Sequence, residues 1–200
     1  MRSALVIILF TLSAVALGQR FSSEVFHKGF LVTSQKDTLQ GSIKYDLEAN
    51  VLTVVGKGKT KSFSSQKVFY FEIFDEILEN YRQFYSIPYN VNFDYKIPVF
   101  FEVVYEGKLS LLRREQIVVR SVNNTNAYWG GGSVRQTVIE YSYFFLDDKG
   151  KITFFNGKKK DLFRFMSKKQ TEVKQFIKEN RLETDRSSDL VRITAFYNSI

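Results

Sequence analysis

Hydrophobic and polar side chains alternate with a period of two along most of the chain, from about residue 24 to about residue 156. This period places successive side chains on opposite faces of a strand, so the region is predicted to form a series of β-hairpins. From about residue 158 to 199 the apolar spacing becomes helical. Strands followed by helices predict an α+β fold, and we expect a mostly antiparallel sandwich or open barrel of about 8–10 strands with two or three C-terminal helices.

Turn residues and apolar runs set several strand boundaries. Residues 106–108 and 147–151 are polar and contain glycine, which predicts a hairpin turn at each. Residues 68–74 are almost continuously apolar, so we expect a central strand that is covered on both faces. The strand that begins near Tyr81 is expected to stop at Pro88, because proline cannot donate a hydrogen bond to a sheet.

The first residues have the order of a secretory signal peptide. The N-terminal tripeptide carries a positive charge, residues 4–17 carry none, and Ala16 and Gly18 are the small residues that signal peptidase requires. We therefore predict a signal peptide over residues 1–18, cleaved between Gly18 and Gln19. The alternative is an uncleaved membrane anchor, but a bilayer span takes about 20 apolar residues and this run is shorter.

Cleavage would leave residues 19–200 as one β-rich domain with a helical segment at about 158–199. No later stretch approaches the length of a membrane span, so no transmembrane segment is expected in the mature chain. A protein with a cleaved signal is exported, which predicts a periplasmic or secreted location. The sequence contains no cysteine, and an exported protein without disulfides fits a bacterial envelope better than a eukaryotic secretory route.

Composition and charge narrow the chemistry further. With no cysteine and a single histidine, His27, the chain has no thiolate nucleophile and no multi-histidine metal site, and we predict neither a metal nor a cofactor. Lys and Arg number 29 against 21 Asp and Glu, a net charge of +8. An exported protein does not meet cytoplasmic nucleic acid, so this charge indicates peripheral contact with an anionic envelope surface or simple solubility. Lysines and arginines of the predicted helices would form such a patch, or a solvated helix face.

Several segments resemble a known family. Residues 26–32 read Phe-His-Lys-Gly-Phe-Leu-Val, and residues 37–46 read Asp-Thr-Leu-Gln-Gly-Ser-Ile-Lys-Tyr-Asp. Shorter pieces at 82–85, 100–103, 111–115 and 196–198 fit the same pattern. With the signal peptide, they make the chain similar to a family of uncharacterised exported proteins of Bacteroidota over most of its mature length. The resemblance implies a compartment and a β-rich fold, and it implies no activity and no site.

No catalytic constellation can be assembled from the sequence. A Ser-His-Asp triad would have to use His27, and the chain contains no Gly-x-Ser-x-Gly motif, so we expect a surface or half-buried strand histidine. Paired carboxylates such as Glu102 and Glu106 could serve a glycosidase. Charges on strand faces are more commonly solvated or paired, here with arginines such as Arg82 or Arg113. We therefore expect that the protein is not an enzyme.

Two regions are candidates for binding a ligand or partner. Residues 123–133 are polar and glycine-rich and contain the sole tryptophan, Trp129. They form a binding loop or a disordered connection between two strands. Tyr141 and Tyr143 share a strand face with Phe145, which would either line a pocket or fill a core. The candidate binding residues are Trp129, Tyr141, Tyr143, Arg113 and Arg114.

These observations favour an exported, non-catalytic protein of the cell envelope that binds a protein partner, a glycan or an apolar ligand. The alternatives are a structural or assembly accessory at the outer membrane and a carboxylate-dependent hydrolase. A ligand carrier should have a cavity lined by the tyrosine faces, whereas an accessory should have a filled core and an exposed apolar patch.

Overall fold

A computed structural model describes residues 20–92, 95–123 and 133–200 of the chain. Ten strands and three helices make up this part, which confirms the predicted α+β class with its C-terminal helices. The strands are β1 His27–Thr33, β2 Thr38–Asp46, β3 Val51–Gly56, β4 Lys59–Ser64, β5 Val68–Asp75, β6 Asn80–Asn92, β7 Tyr95–Tyr105, β8 Ser110–Asn123, β9 Ser133–Leu146 and β10 Ile152–Phe155. The helices are α1 Lys159–Phe165, α2 Gln170–Glu179 and α3 Ser187–Ser199.

Two of the sequence predictions fall on other parts of the chain. The predicted signal peptide at residues 1–18 and the candidate binding residue Trp129 lie outside the described residues. Among the described residues, no helix is both long enough and apolar enough to span a bilayer.

All ten strands belong to one antiparallel sheet, in the order β10-β9-β8-β7-β6-β5-β1-β2-β3-β4. The hydroxyl of Tyr45 in β2 lies 2.6 Å from a carboxylate oxygen of Glu115 in β8. Five strand spacings separate β2 from β8 in this order, which would be about 24 Å in a flat sheet. The sheet therefore curls until its two halves face each other, and β10 and β4 end the strand order as the edges of an open barrel.

The tight curl requires glycine at two facing positions. Gly29 of β1 lies opposite Gly41 of β2. A side chain on Gly29 would clash with the carbonyl oxygen of Glu72, and one on Gly41 would clash with the carbonyl oxygen of Val55. The strands approach each other too closely here for any residue with a Cβ atom.

Three buried clusters divide the hydrophobic core between the two faces of the sheet. Phe100 and Phe101 are neighbours in β7 and both are fully buried, yet they belong to different clusters. The same division separates Leu111 from Leu112 in β8 and Phe144 from Phe145 in β9. Because successive strand residues point to opposite faces, β7, β8 and β9 are covered on both faces.

The prediction that residues 68–74 form a central strand is therefore only partly right. β5 is central in the strand order, between β1 and β6. Its inner face is buried at Phe71 and Ile73, whereas Tyr70 and Phe74 on its outer face are only half-buried. The continuous apolar run comes from an outer surface that is rich in aromatic residues and stays open to solvent.

Strand β6 does not stop at Pro88, as the sequence had predicted, but continues to Asn92. Pro88 lies opposite Pro98 of β7. At this point the pairing of β6 with β5 has already ended at Tyr85, and the pairing of β7 with β8 begins only at Glu102. A proline is tolerated in such a strand because its missing N–H would face an open edge rather than a neighbouring strand.

The three helices cover the inner face of β7–β10. Their apolar side chains pack with Leu111, Phe145 and Phe155 in the second cluster. The carboxamide of Asn198 in α3 accepts a hydrogen bond from the backbone N–H of Leu109 at 3.0 Å and donates one to its carbonyl oxygen at 2.9 Å. These two hydrogen bonds hold the C-terminal end of α3 against the turn between β7 and β8.

Candidate functional site

A network of charged side chains lies inside the curled sheet, with Arg82 of β6 at its centre. Nε and Nη2 of Arg82 donate to both carboxylate oxygens of Glu102, at 3.0 and 2.7 Å. Nη2 also donates to Glu115 at 2.8 Å, and Nη1 donates to Asp75 at 2.9 Å and to the hydroxyl of Tyr45 at 2.7 Å. These bonds use all five N–H groups of the guanidinium.

Each carboxylate oxygen of the network also has a donor. Arg113 of β8 donates to both oxygens of Glu102, at 2.9 and 2.7 Å. Oδ1 of Asp75 accepts the backbone N–H groups of Ile77 and Leu78, at 3.0 and 3.1 Å. The remaining oxygen of Glu115 accepts the hydroxyl of Tyr45. The network ties five strands together, and each of its carboxylate oxygens accepts at least one hydrogen bond.

Burial and ion pairing act in opposite directions on these groups. Burial raises the pKa of Glu102, but hydrogen bonds and charge from Arg82 and Arg113 outweigh it and hold the pKa below its usual value. Burial also raises the pKa of Asp75, and hydrogen bonds from Ser22, Arg82 and the backbone bring it below its usual value. For Tyr45 burial dominates and raises the pKa, so the hydroxyl keeps its proton. Asp75 and Glu102 are held ionised and the phenol of Tyr45 is held neutral.

Acidification is therefore expected to destabilise the fold. Asp75 and Glu102 have lower pKa values in the folded chain, so the unfolded chain binds more protons as the pH falls. Their contribution to stability is present at neutral pH and is lost as the pH falls below about 4.5 toward the folded-state values. Urea unfolding at steps between about pH 7 and about pH 3 measures this. A free energy of unfolding that stays constant or rises over the acidic part of the range would contradict it.

His27 is buried, which corrects the expected surface or half-buried position. Its Nε2 donates to the backbone carbonyl of Ser22 at 2.7 Å, and its Nδ1 lies 4.0 Å from Oδ1 of Asp75 without a hydrogen-bond partner in the described part of the chain. The bond goes to the carbonyl of Ser22 rather than to its hydroxyl, so the imidazole does not activate a serine. His27 instead holds the segment before β1 against the network.

The structure brings some of the predicted binding residues together and separates others. The guanidinium of Arg113 lies 4.5 Å from the ring centre of Tyr141 while it binds Glu102. Tyr143 packs against the second core cluster, and Phe145 is a buried member of it. Tyr143 and Phe145 therefore belong to a core, which was one of the two alternatives, whereas Tyr141 on the same face is 37% exposed. Glu106, the other carboxylate considered for catalysis, is exposed.

Arg114 bridges the point where β7 and β8 separate. Along β7, the first residue that pairs with β8 is Glu102, whose partner is Arg113. The part of β7 that precedes Glu102 is therefore not paired with β8. Nη1 of Arg114 donates to the carbonyl oxygen of Phe100 at 2.7 Å and to Oδ1 of Asn50 at 3.1 Å, and Nη2 binds the carbonyl of Leu47. These bonds join the β2–β3 connection to β7 and replace the missing ladder bonds.

An open groove of about 720 Å³ lies beside the network. We call it the Phe26 groove, and its lining residues are Ser23, Glu24, Phe26, Lys44, Tyr45, Asp46, Leu47, Glu48, Ala49, Val51, Thr53, Glu115, Gln116 and Ile117. Tyr45 and Glu115 belong both to the network and to the groove wall. Phe26 is 46% exposed at the rim. The network thus gives one wall of an accessible groove a fixed geometry.

The sequence indicated that strand carboxylates pair with arginines such as Arg82 or Arg113, as Glu102 does, but sequence reasoning missed the rest of the network and the groove. A signal was available, since Arg82, Glu102 and Glu115 each share a strand face with buried apolar residues, namely Phe84, Phe100 and Leu111. Such positions indicate buried charges that need partners. The charged partners come from four successive strands, β5 to β8, that are neighbours in the sheet. Tyr45 of β2 meets them because the sheet curls, and the sequence does not show that curl.

The three carboxylates of the network are all paired with Arg82, and Glu102 is paired with Arg113 as well. Within the described ranges, no group of three or more His, Cys, Asp or Glu side chains is placed to hold a metal ion. Comparisons of the chain with protein-family models, curated proteins and solved structures found no match.

Proposed function

We propose that this chain is an exported, non-catalytic binding protein that receives a protein partner in the Phe26 groove. The observation that carries the proposal is an accessible groove built on a saturated hydrogen-bond network. Binding loses less conformational entropy when the receiving surface is already ordered. Tyr45 and Glu115 are each fixed by hydrogen bonds before any partner arrives.

The lining of the groove favours a partner segment with both apolar and basic side chains. Phe26, Leu47 and Ile117 supply apolar surface. Three carboxylates outside the network line the groove against one lysine, Lys44, although the whole chain has a net charge of +8. These carboxylates are those of Glu24, Asp46 and Glu48, whereas the charge of Glu115 is already paired with Arg82. Opposite charge on the partner would raise the association rate and select against acidic partners.

Export to the cell envelope is part of the same proposal. It is supported by the charged, apolar and small-residue order of residues 1–18 and by the resemblance to exported proteins of Bacteroidota. The chain recovered from the envelope fraction of its host should have the intact mass of residues 19–200.

Site-specific photo-crosslinking in the native host tests the groove as the partner site. The photoreactive amino acid p-benzoylphenylalanine replaces Phe26 in one variant and Phe154 in a matched control. Both native side chains are exposed phenylalanines, at 46% and 52%, and Phe154 is not part of the groove lining. We expect one discrete crosslinked band from the Phe26 position. The yield of this crosslink should fall at high salt, because salt screens the attraction between opposite charges.

The crosslinked protein would be identified by mass spectrometry and its crosslinked segment should carry Lys or Arg. Equal crosslinking from both positions would show that the groove has no special role. The absence of any crosslink from Phe26 in envelope preparations would contradict the proposal directly.

A further inference from the structure

A second surface, on the outer face of β1, β5 and β6, carries an unusual concentration of aromatic rings. Tyr70 and Tyr85 stack with ring centres 5.2 Å apart, and Phe74 lies edge-on to Tyr81 at 5.1 Å. Tyr81 is 72% exposed. We call this surface the aromatic platform, and its members are Phe30, Phe69, Tyr70, Phe74, Tyr81 and Tyr85.

A β-bulge turns one of these rings outward. Val32 and Thr33 are consecutive in β1, and their partners in β5 are Tyr70 and Val68. Phe69, which lies between these two partners, is therefore left unpaired. Simple alternation would put Phe69 on the buried face with Phe71, but Phe69 is 44% exposed and its ring lies 6.2 Å from that of Tyr85. Burying Phe69 would favour folding, whereas the bulge exposes it next to other rings.

Polar side chains divide the platform into two aromatic groups. Glu72 of β5 and Gln83 of β6 lie opposite each other between the groups, and Nε2 of Gln83 donates to Glu72 at 2.7 Å. Beside them is a hollow of about 370 Å³ that includes Lys28, Phe74 and Tyr81 in its lining. Within this hollow the charges of Lys28 and Glu72 balance. At the other end of the platform, Nζ of Lys36 lies 3.8 Å from the ring centre of Phe69. The hollow itself offers aromatic rings next to oriented hydrogen-bonding groups and no net charge.

From this arrangement we infer that the aromatic platform binds an uncharged oligosaccharide. A sugar ring presents an apolar C–H face that stacks on an aromatic ring and hydroxyl groups that bond to carboxylate and amide side chains. The polar Glu72–Gln83 pair at the centre makes the surface unsuited to a lipid tail. The negative charge of the Glu72 carboxylate would repel the phosphates of a nucleic acid. Tyr70 and Phe74 are four strand positions apart, about 13 Å, so the two aromatic groups match a chain of sugars rather than one ring.

Affinity electrophoresis with defined polysaccharides tests this inference. The purified domain is run toward the cathode in native gels that contain laminarin, xyloglucan, galactomannan or dextran, with polygalacturonate as a charged comparison. We expect at least one neutral polysaccharide to retard the protein. Tyr81→Ala and Phe69→Ala should each weaken that binding by about tenfold, since each removes a stacking face.

Two matched variants provide the controls. Tyr95 is 73% exposed on β7 and Phe26 lies in the groove, so Tyr95→Ala and Phe26→Ala should leave the retardation unchanged.

Gln83→Ala tests the polar part of the platform. It keeps all six rings and should weaken binding through its lost hydrogen bonds. Thermal unfolding of every variant shows whether the fold is retained.

Three results would overturn the inference: no retardation by any of the four neutral polysaccharides, retardation by polygalacturonate alone, or retardation that Tyr81→Ala and Phe69→Ala do not change. Phe26→Ala shows whether the groove contributes to saccharide binding. The saccharide proposal and the partner proposal can therefore fail independently of each other.

Discussion

Replacing Arg82 with methionine is expected to lower the free energy of unfolding by about 3–5 kcal/mol. The methionine side chain occupies similar space but leaves Asp75 and Glu115 without a cation and Glu102 with only one. Removing one partner of a buried ion pair leaves charge in a medium that solvates it poorly, which costs much more than the pair contributes. The effect is large because a single guanidinium serves all three carboxylates.

Chemical denaturation of wild type and Arg82→Met, followed by circular dichroism, measures this loss. Arg120→Met is the matched control, because Arg120 forms an ion pair with Glu140 at the surface. Exposed pairs contribute little, so the control should change the free energy of unfolding by less than about 1 kcal/mol. Similar losses of unfolding free energy in Arg82→Met and Arg120→Met would contradict this expectation. They would show that burial does not increase the cost of removing the arginine from an ion pair.

Phe101→Ala is expected to destabilise the fold by about 3–5 kcal/mol, the usual range for a buried phenylalanine. The Phe101 ring is fully buried on the outer face of β7, edge-on to Tyr89 at 5.5 Å and to Phe144 at 5.1 Å. Truncation removes these contacts and leaves a cavity that the curled sheet cannot close. The result would establish that both faces of β7 carry core, since Phe100 serves the other face.

Phe154→Ala controls for the loss of an aromatic ring from the same region. Phe154 contacts Phe144 but is 52% exposed, so its truncation should cost less than about 1 kcal/mol. Denaturation under the same conditions compares the two variants. A cost for Phe101→Ala no larger than that for Phe154→Ala would mean that the cluster of Val99, Phe101, Leu112 and Phe144 is not a core.

The local pattern of the sequence was sufficient to predict the hairpins at residues 106–108 and 147–151 and the helical segment at about 158–199. Each depends on residues close together in the chain, whose turn chemistry and apolar period act without distant partners. The continuation of β6 through Pro88 could not be predicted in this way, since it depends on which edges of β6 and β7 lack neighbouring strands.

The candidate sites depended still more on distant contacts. The alternation identified Tyr141 and Tyr143 as one face, but only the packing of the helices showed that Tyr143 belongs to a core. His27 looked like a strand histidine at or near the surface and is buried by the curl. Residues 68–74 were expected to be covered on both faces, and a one-residue bulge against β1 turned Phe69 to solvent.

The sequence by itself determined the α+β class, the order of strands before helices and the hairpins at residues 106–108 and 147–151, because these follow from periodicity and turn residues over short distances. Only the tertiary structure decided how far the sheet curls, and with it the network around Arg82, the Phe26 groove and the aromatic platform. The physical reason is that side-chain period specifies two faces of a strand but not what will cover either face. That choice is made when β2 meets β8, after five strand spacings of accumulated twist and curl.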